Sequence, residues 1–278
     1  MKKTIHFISG LPRSGSTLLC NILAQNPRFQ TTATSGIMDI MFGVRNNWDN
    51  LVEFKAHPDD DAKARVLRAI LDSYFASSER PVVFDKSRGW VSLLEMAEMV
   101  LERKAKVLIP VRDLRDVLAS FEKIHRKQAS LHQPNFEAQQ YFLAQTTEGR
   151  AQILLQNDKP VGLAYHRIRD ALKRGFGDRM YFVEFEKLTS EPAAELARIY
   201  TFLEEEPYAH DFENVEQVTW EDDTVHGAKD LHTIRTQVRP MDPQWKKVLG
   251  TFAEEYGKMN FWWPENQPFH EVVYHWHP

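Results

Sequence analysis

The stretch from Thr4 to Gln25, TIHFISG-LPRSGST-LLCNILAQ, restricts what this chain can fold into more than any other. Thr4 to Ser9 is short, β-branched and aromatic, which predicts a strand. Leu18 to Gln25 carries apolar residues at Leu18, Leu19, Ile22 and Leu23, the spacing of one helix face. Between them Gly10 and Gly15 bracket a tight loop that continues into Ser16 and Thr17. A strand, a glycine-bounded loop and a helix in that order form a cradle for an anion. Backbone N–H groups and the positive end of the helix converge there on one point.

The spacing follows the Walker pattern G-x-x-x-x-G-K-[ST], with Ser16 standing where the lysine would be. A nucleoside triphosphatase sets that lysine on the β- and γ-phosphates. This loop offers Arg13 instead, a planar fork matched to an oxyanion with several equivalent oxygens. Two readings follow: an ordinary glycine turn ahead of a helix, or a site for a phosphate-like group other than a triphosphate. Arg13, Ser14, Ser16 and Thr17 crowded behind a strand favour the second.

Composition narrows the class. With 278 residues, 42% hydrophobic and 27% charged, the chain can bury the core of one sizeable α/β domain. Its net charge of −4 gives no broad basic field, which argues against nucleic acid as a partner. Positive charge is local, at Arg13, Lys86, Arg112 and Arg115. The single cysteine, Cys20, excludes an internal disulfide framework and fits a reducing, cytoplasmic setting. Met1 to Ile8 lacks the apolar core of a signal peptide, and no run approaches the ~18 apolar residues of a membrane span.

GLPRSGSTLL resembles the 5′-phosphosulfate loop of sulfotransferases that use 3′-phosphoadenosine 5′-phosphosulfate (PAPS) and release 3′,5′-adenosine bisphosphate (PAP). The likeness is greatest to the tyrosylprotein and bacterial branches, whose loops read PRSG followed by two hydroxyl residues. It implies a three-layer α/β fold of P-loop type, a parallel sheet flanked by helices, working without a metal. It also implies a single domain over 1–278. A donor-binding core would span 1–125, with an acceptor-side insertion at about 37–80 and a loop-rich cover over 220–278. By resemblance Arg13, Ser14, Gly15, Ser16 and Thr17 hold the phosphosulfate.

Later segments extend the likeness in order. Pro81 to Phe84 is a short strand running into Asp85-Lys86-Ser87-Arg88. The family sets a lysine here to neutralise charge on the bridging oxygen, and Lys86 matches it; a surface ion pair is the alternative. Lys106 to Val111 predicts a strand, and DLRDVLASFEKI a helix with Asp113 as cap and Asp116 in its first turn. Arg112 followed by Ser120 resembles the family's 3′-phosphate motif, a fixed cation with a hydroxyl. One turn beyond Ser120, where relatives add a basic residue, stands Ile124, with Lys123, His125 and Arg126 beside it. A rival reading makes VLIPVRD a Walker-B-like strand with Asp113 as magnesium holder. FEKLTSEPAAELARIYTFL resembles the family's Tyr-Glu-x-Leu segment, which makes Phe185 either the residue beside the adenine or an inward core aromatic. In Val225 to Pro240, Thr233 and Arg239 match donor-touching positions of the tyrosylprotein branch. His226 and His232 are not spaced as metal ligands and read as surface loop.

Neither of the family's familiar bases is present. Thr32-Ala33-Thr34-Ser35 stands where tyrosylprotein enzymes carry Gly-Glu-Glu-Thr, and Arg88 where cytosolic members carry a histidine. Asp39, His57 and Asp85 are the candidates. Ile37 to Ala56 reads as an acceptor-side helix and loop or as a core helix, and the acid run at Asp59 to Asp61 as a helix cap before Ala62 to Ala76. Val91 to Arg103 is an amphipathic helix and Gln128 to Asn157 polar and helical. Pro160 to Tyr165 is a strand or buried segment, and His166 to Arg174 a basic helix ending at Gly175. Asp178 to Phe185 is a strand. Asn260 to Pro264 folds back on the core, and the His-Trp-His ending is a tail.

The expected chemistry is in-line sulfuryl transfer from PAPS to a hydroxyl acceptor, whether small molecule, carbohydrate or peptide. A small-molecule kinase with a P-loop and a non-catalytic PAPS- or PAP-binding protein are the alternatives, and the sequence allows a homodimer.

Overall fold

The computed structural model describes residues 3–128, 138–226, 229 and 231–266. The His-Trp-His ending and part of the polar stretch after Gln128 lie outside them. Five short strands, β1 (Thr4–Ile8), β2 (Phe29–Thr34), β3 (Val82–Lys86), β4 (Val107–Val111) and β5 (Met180–Glu184), form one sheet in the order β2-β3-β1-β4-β5, every pair parallel. Near-continuous apolar runs such as VLIPV suit strands covered on both faces, and β3, β4 and β5 are buried at every residue.

Helices cover both faces. On one side α1 (Ser16–Leu23), α10 (Phe185–Ser190) and α11 (Pro192–Leu203) bury Leu19, Ile22, Leu188, Leu196 and Ile199 against Ile8, Phe84, Leu108 and Val183. On the other, α2 (Ile37–Asn50), α4 (Asp60–Tyr74), α5 (Leu94–Leu101), α6 (Leu114–Gln128) and α9 (Pro160–Lys173) pack on Phe7, Val83, Ile109 and Phe182. The short helices α3 (Val52–Ala56), α7 (Ala138–Ala144), α8 (Thr147–Leu154) and α12 (Trp245–Val248) complete the chain. The result is the three-layer parallel α/β architecture the sequence implies.

Most boundaries agree with expectation to within two residues, including the acid run, where Asp59 caps α4 through Ala62 N at 2.7 Å. The strand expected at Pro81 to Phe84 runs on through Asp85 and Lys86. Larger differences are at α5, which begins at Leu94 and not Val91, and at α6, which runs past Ile124 to Gln128. Of the two readings of Pro160 to Tyr165, strand or buried segment, the second holds: it is the first half of α9, with Val161, Ala164 and Tyr165 buried, and Pro160 sits in the first turn, where its missing N–H costs nothing. Asn260, Phe261 and Trp262 do fold back and are buried at 4% exposure or less.

Pro110 sits inside a central strand, a position that would ordinarily lose a ladder bond. Here β1 pairs with β4 only through Leu108 and has already turned into the loop opposite Pro110. The Pro110 carbonyl accepts from Leu11 N at 2.9 Å, and a Cβ on Gly10 would lie 2.1 Å from that carbonyl oxygen. The missing side chain of Gly10 and the missing N–H of Pro110 together let the loop leave the sheet at this point.

Candidate functional site

Parallel strands end on one side, and open α/β sheets bind ligands beyond those carboxyl ends. The loop after β1, Thr34 of β2, Lys86 of β3, Arg112 after β4 and Phe185 after β5 all reach that edge. The loop is shaped by left-handed backbone at Arg13 (φ 61°) and Gly15 (φ 83°). Gly15 is required twice: its φ is unfavourable to other residues, and a Cβ there would meet Phe185 Cδ2 at 2.6 Å. No side chain caps α1, so its first amides face the loop.

Arg13, Gly15, Ser16, Thr17, Lys86, Arg112, Ser120, Phe185, Thr233 and Arg239 line a single cavity of about 610 Å³. Ser14 does not line it. Its hydroxyl donates to the carbonyls of Leu11 (2.6 Å) and Pro110 (2.9 Å), stapling the loop to β4. The guanidinium of Arg13 donates through Nε to Ser120 Oγ at 3.1 Å across 107 residues of sequence, and through a second nitrogen to the Leu231 carbonyl. Arg112 stacks over the Phe185 ring, 4.5 Å from its centroid. Its Nε is buried without a hydrogen-bond partner among the described residues. Burial, and after it the neighbouring Arg112 cation, push the Arg13 pKa down, while Asp223 acts the other way. Two guanidinium groups repelling each other at one cavity favour an anion between them.

A carboxylate that sequence reasoning passed over meets the third cation. Lys86 Nζ donates to Glu221 Oε1 at 2.8 Å, and both side chains are almost enclosed, at 7% and 9% exposure. The same oxygen accepts from Thr34 N and Thr34 Oγ1, each at 2.8 Å. Burial alone would raise the Glu221 pKa; Lys86 and the two Thr34 donors overcome it and hold the group at about 2. Lys86 is thus not a surface ion pair but one half of a buried pair, and it also lines the cavity.

Glu221 arrives from a segment that returns over α1. Asn21 on that helix accepts from Val218 N (2.6 Å) and Thr219 N (3.1 Å) and donates to Thr219 Oγ1 (2.9 Å). Farther along, Val215 N donates to Thr236 O and Val238 N to Phe212 O, so 212–218 and 234–238 clasp each other. Between them lie Asp223 and His232, with Nδ1 of His232 at 2.5 Å from Asp223 Oδ1. The ring of His232 is 16% exposed and lines the cavity, not the open surface expected for it. No local pattern marks these residues; the run Glu221-Asp222-Asp223 reads as a solvated acidic stretch.

The other expected residues are placed as follows. Asp39, in the first turn of α2, and His57, which ends α3, are exposed and outside the cavity lining. Asp85 is fully buried, accepting from Trp90 Nε1 (2.6 Å) and Thr32 Oγ1 (3.2 Å), and burial pushes its pKa up. Asp113 is engaged by Arg115 at 2.8 Å and by Asn260, which leaves it poorly disposed to hold a magnesium ion. Arg115 stacks on Trp245 and does not line the cavity. Beyond Ser120, Ile124 and, of the basic residues beside it, Lys123 line the cavity, whereas Arg126 is committed to Glu122 and the Val248 carbonyl.

A family model described as "Sulfotransferase family" matches residues 6–210. No curated protein matches the sequence. The sulfotransferase domain from the curacin biosynthetic pathway is similar at 19% identity and a TM-score of 0.48, covering 93% of this chain and 90% of that one. A sulfotransferase from Alicyclobacillus acidocaldarius is similar at 16% identity and a TM-score of 0.48, covering 92% and 93%. Mouse sulfotransferase SULT7A1, complexed with PAP, is similar at 13% identity and a TM-score of 0.48, covering 92% and 83%. No helix of the described residues is long and apolar enough to cross a membrane.

Proposed function

This chain belongs to the sulfotransferase family, and on that premise we propose that it takes a sulfuryl group from PAPS and passes it in line to a hydroxyl acceptor, releasing PAP. The observation that carries the reading is the junction of Arg13 with Ser120 beside Arg112. It brings a loop suited to a 5′-phosphosulfate next to a cation–hydroxyl pair suited to a 3′-phosphate. The buried Arg112 Nε without a partner is the fit test: a desolvated N–H donor of this kind costs free energy until an acceptor meets it, and a phosphate oxygen is such an acceptor.

The bound donor would supply the sulfuryl group and a good leaving group. Arg13, the amides of the first turn of α1, Ser16 and Thr17 hold the phosphosulfate. Arg112 and Ser120 recognise the 3′-phosphate, Phe185 lies against the adenine, and Thr233 and Arg239 cover the nucleotide. Lys86 neutralises charge on the oxygen between phosphorus and sulfur. Ser14 keeps the loop in shape without touching the donor. Catalysis then consists of positioning and charge stabilisation.

Calorimetry with PAP against ATP and magnesium tests the donor class. Tight PAP binding and no ATP binding are expected; the reverse would support a phosphotransferase. Arg112→Ala should weaken PAP about 10- to 100-fold, the loss of a charge-assisted pair worth roughly 1.5–3 kcal/mol, and change AMP binding far less. Arg13→Ala and Lys86→Ala should abolish sulfated product over a panel of phenols, sugars, alcohols and tyrosyl peptides while the far-ultraviolet spectrum is kept. Unchanged turnover in both would refute their roles.

A further inference from the structure

The C-terminal segment brings a histidine to the cavity lining, sets two carboxylates behind it and places one carbonyl on Arg13. His232 is held at four points. Its backbone N–H donates to Asp223 Oδ2 at 3.1 Å, and its carbonyl accepts from Gln217 Nε2 at 3.0 Å. Its Nδ1 lies 2.5 Å from Asp223 Oδ1 and 3.5 Å from Glu221 Oε2. Gln217 Oε1 also accepts from Ile234 N at 3.1 Å, which fixes the chain just beyond. The carbonyl of Leu231, one residue before it, takes the Arg13 guanidinium, and Glu221 is the partner of Lys86. The imidazole is therefore coupled through one neighbour to the anion loop and through another to the lysine of β3.

We propose that His232 is the general base of this enzyme and that Asp223 is its positioning residue, an assignment that rests on the sulfotransferase reading above. Asp223 keeps the ring proton on Nδ1, so Nε2 is the nitrogen that takes a proton from the acceptor. The acceptor O–H proton passes to Nε2 as the acceptor oxygen bonds to sulfur. The S–O bond to the donor's phosphate breaks, and its electron pair leaves with the phosphate oxygen beside Lys86. The imidazolium then returns its proton to water. The carboxylates nearby are worse suited. Glu221 is occupied by Lys86 and both Thr34 donors and is held ionised far below neutral pH, which makes it a weak proton acceptor. Asp85 is closed off by Trp90 and Thr32 and does not line the cavity. Burial would raise the Asp223 pKa, but its bonds to His232 hold it below the usual carboxylate range, as its positioning role requires.

The test uses full-length protein, PAPS, and whichever acceptor of the panel wild type sulfates fastest, with water as acceptor (release of inorganic sulfate) where none is sulfated. His232→Gln should lower turnover by about 10²- to 10⁴-fold with PAP affinity within twofold of wild type, which also certifies the fold. Wild-type turnover should rise with pH along a limb that requires His232, whose ring faces Asp223 and Glu221 directly, with Lys86 and Arg13 behind them. That limb should vanish in His232→Gln, and added imidazole should restore part of the rate in His232→Gly. Asp223→Asn should lose rate with PAP binding kept, and Asp223→Glu should regain part of it. Wild type that fails to bind PAP would instead sink the sulfotransferase reading. PAP binding kept with turnover and pH limb unchanged in His232→Gln would overturn this assignment alone. A limb lost in Glu221→Gln but retained in His232→Gln would overturn it in favour of Glu221.

Discussion

Gly15→Ala isolates the contact that joins the anion loop to Phe185 and the Arg112 stacked on it. The added methyl carries two costs. At φ 83° an L-residue is in the left-handed region, which costs roughly 1–2 kcal/mol. The new Cβ would also lie 2.6 Å from Phe185 Cδ2 and 3.1 Å from Cε2, so the ring must move by about 1 Å to reach ordinary contact. That ring is the platform under Arg112, 4.5 Å away, and disturbing the stack forfeits about 0.5–1 kcal/mol more. The sum, about 1.5–3 kcal/mol, should lower Tm by roughly 3–12 °C for a chain of this size, and PAP affinity should fall with it. A double-mutant cycle separates the terms. In a Phe185→Ala background the clash is gone, so Gly15→Ala should cost only the backbone part, leaving a coupling of about 1 kcal/mol in Tm-derived stability. Strict additivity, or a Gly15→Ala protein with wild-type Tm and PAP affinity, would refute the claim that Phe185 closes against this glycine.

Two further outcomes follow from the returning segment. Glu221, moved from 4.5 to about 2 in the folded state, contributes stability that is present above pH 4.5 and lost as pH falls towards 2. The contribution is at most about 3 kcal/mol, so Tm measured between pH 5 and 2.5 should fall more steeply in wild type than in Glu221→Gln; parallel curves would show that the pair is worth nothing. Asn21→Ala removes three hydrogen bonds that tie Val218 and Thr219 to α1 and leaves the buried Thr219 amide and the part-buried Val218 amide without this partner. It should cost about 1–3 kcal/mol by chemical denaturation and reduce turnover more than PAP affinity, and an unaffected turnover would show that the segment keeps its place without this anchor.

The features legible in the sequence are those with a local cause. A glycine pair, an arginine and three hydroxyls between a strand and a helix define the loop within one window. Lys86 and Arg112 are legible because each ends a short apolar run, and a parallel sheet carries every such end to the same edge. Ser14 misleads because its hydroxyl has a nearer use: the carbonyl of Pro110 waits within 2.9 Å, 96 residues away in sequence. Pro160 to Tyr165 is ambiguous between strand and buried segment because so short an apolar run fits either period, and only Ile168 and Ala171, continuing the buried stripe, select the helix. Thr32 to Ser35 looks like a vacancy when searched for a base within its own strand. Seen with its partners, Thr34 is a receptor: its amide and hydroxyl bind a carboxylate 187 residues later.

That last case says something about how the site is built. The cations come from the sheet, where strand geometry fixes Lys86 and Arg112 relative to the loop. The acids and the imidazole come from a segment with almost no regular structure, outside the span that the family model matches. Such a segment has no internal ladder to define it, so its position must be set by bonds to the sheet layer. Those bonds are Asn21 to Val218 and Thr219, Glu221 to Thr34 and Lys86, and Arg13 to Leu231. Two of the three involve cations, Arg13 and Lys86, that the proposed donor's anionic groups would also require. Placing the cover and binding an anion therefore draw on the same charges, and a change to Arg13 or Lys86 should alter both together, whereas a change to Arg112, which stacks on Phe185 instead, should weaken the nucleotide and leave the cover in place.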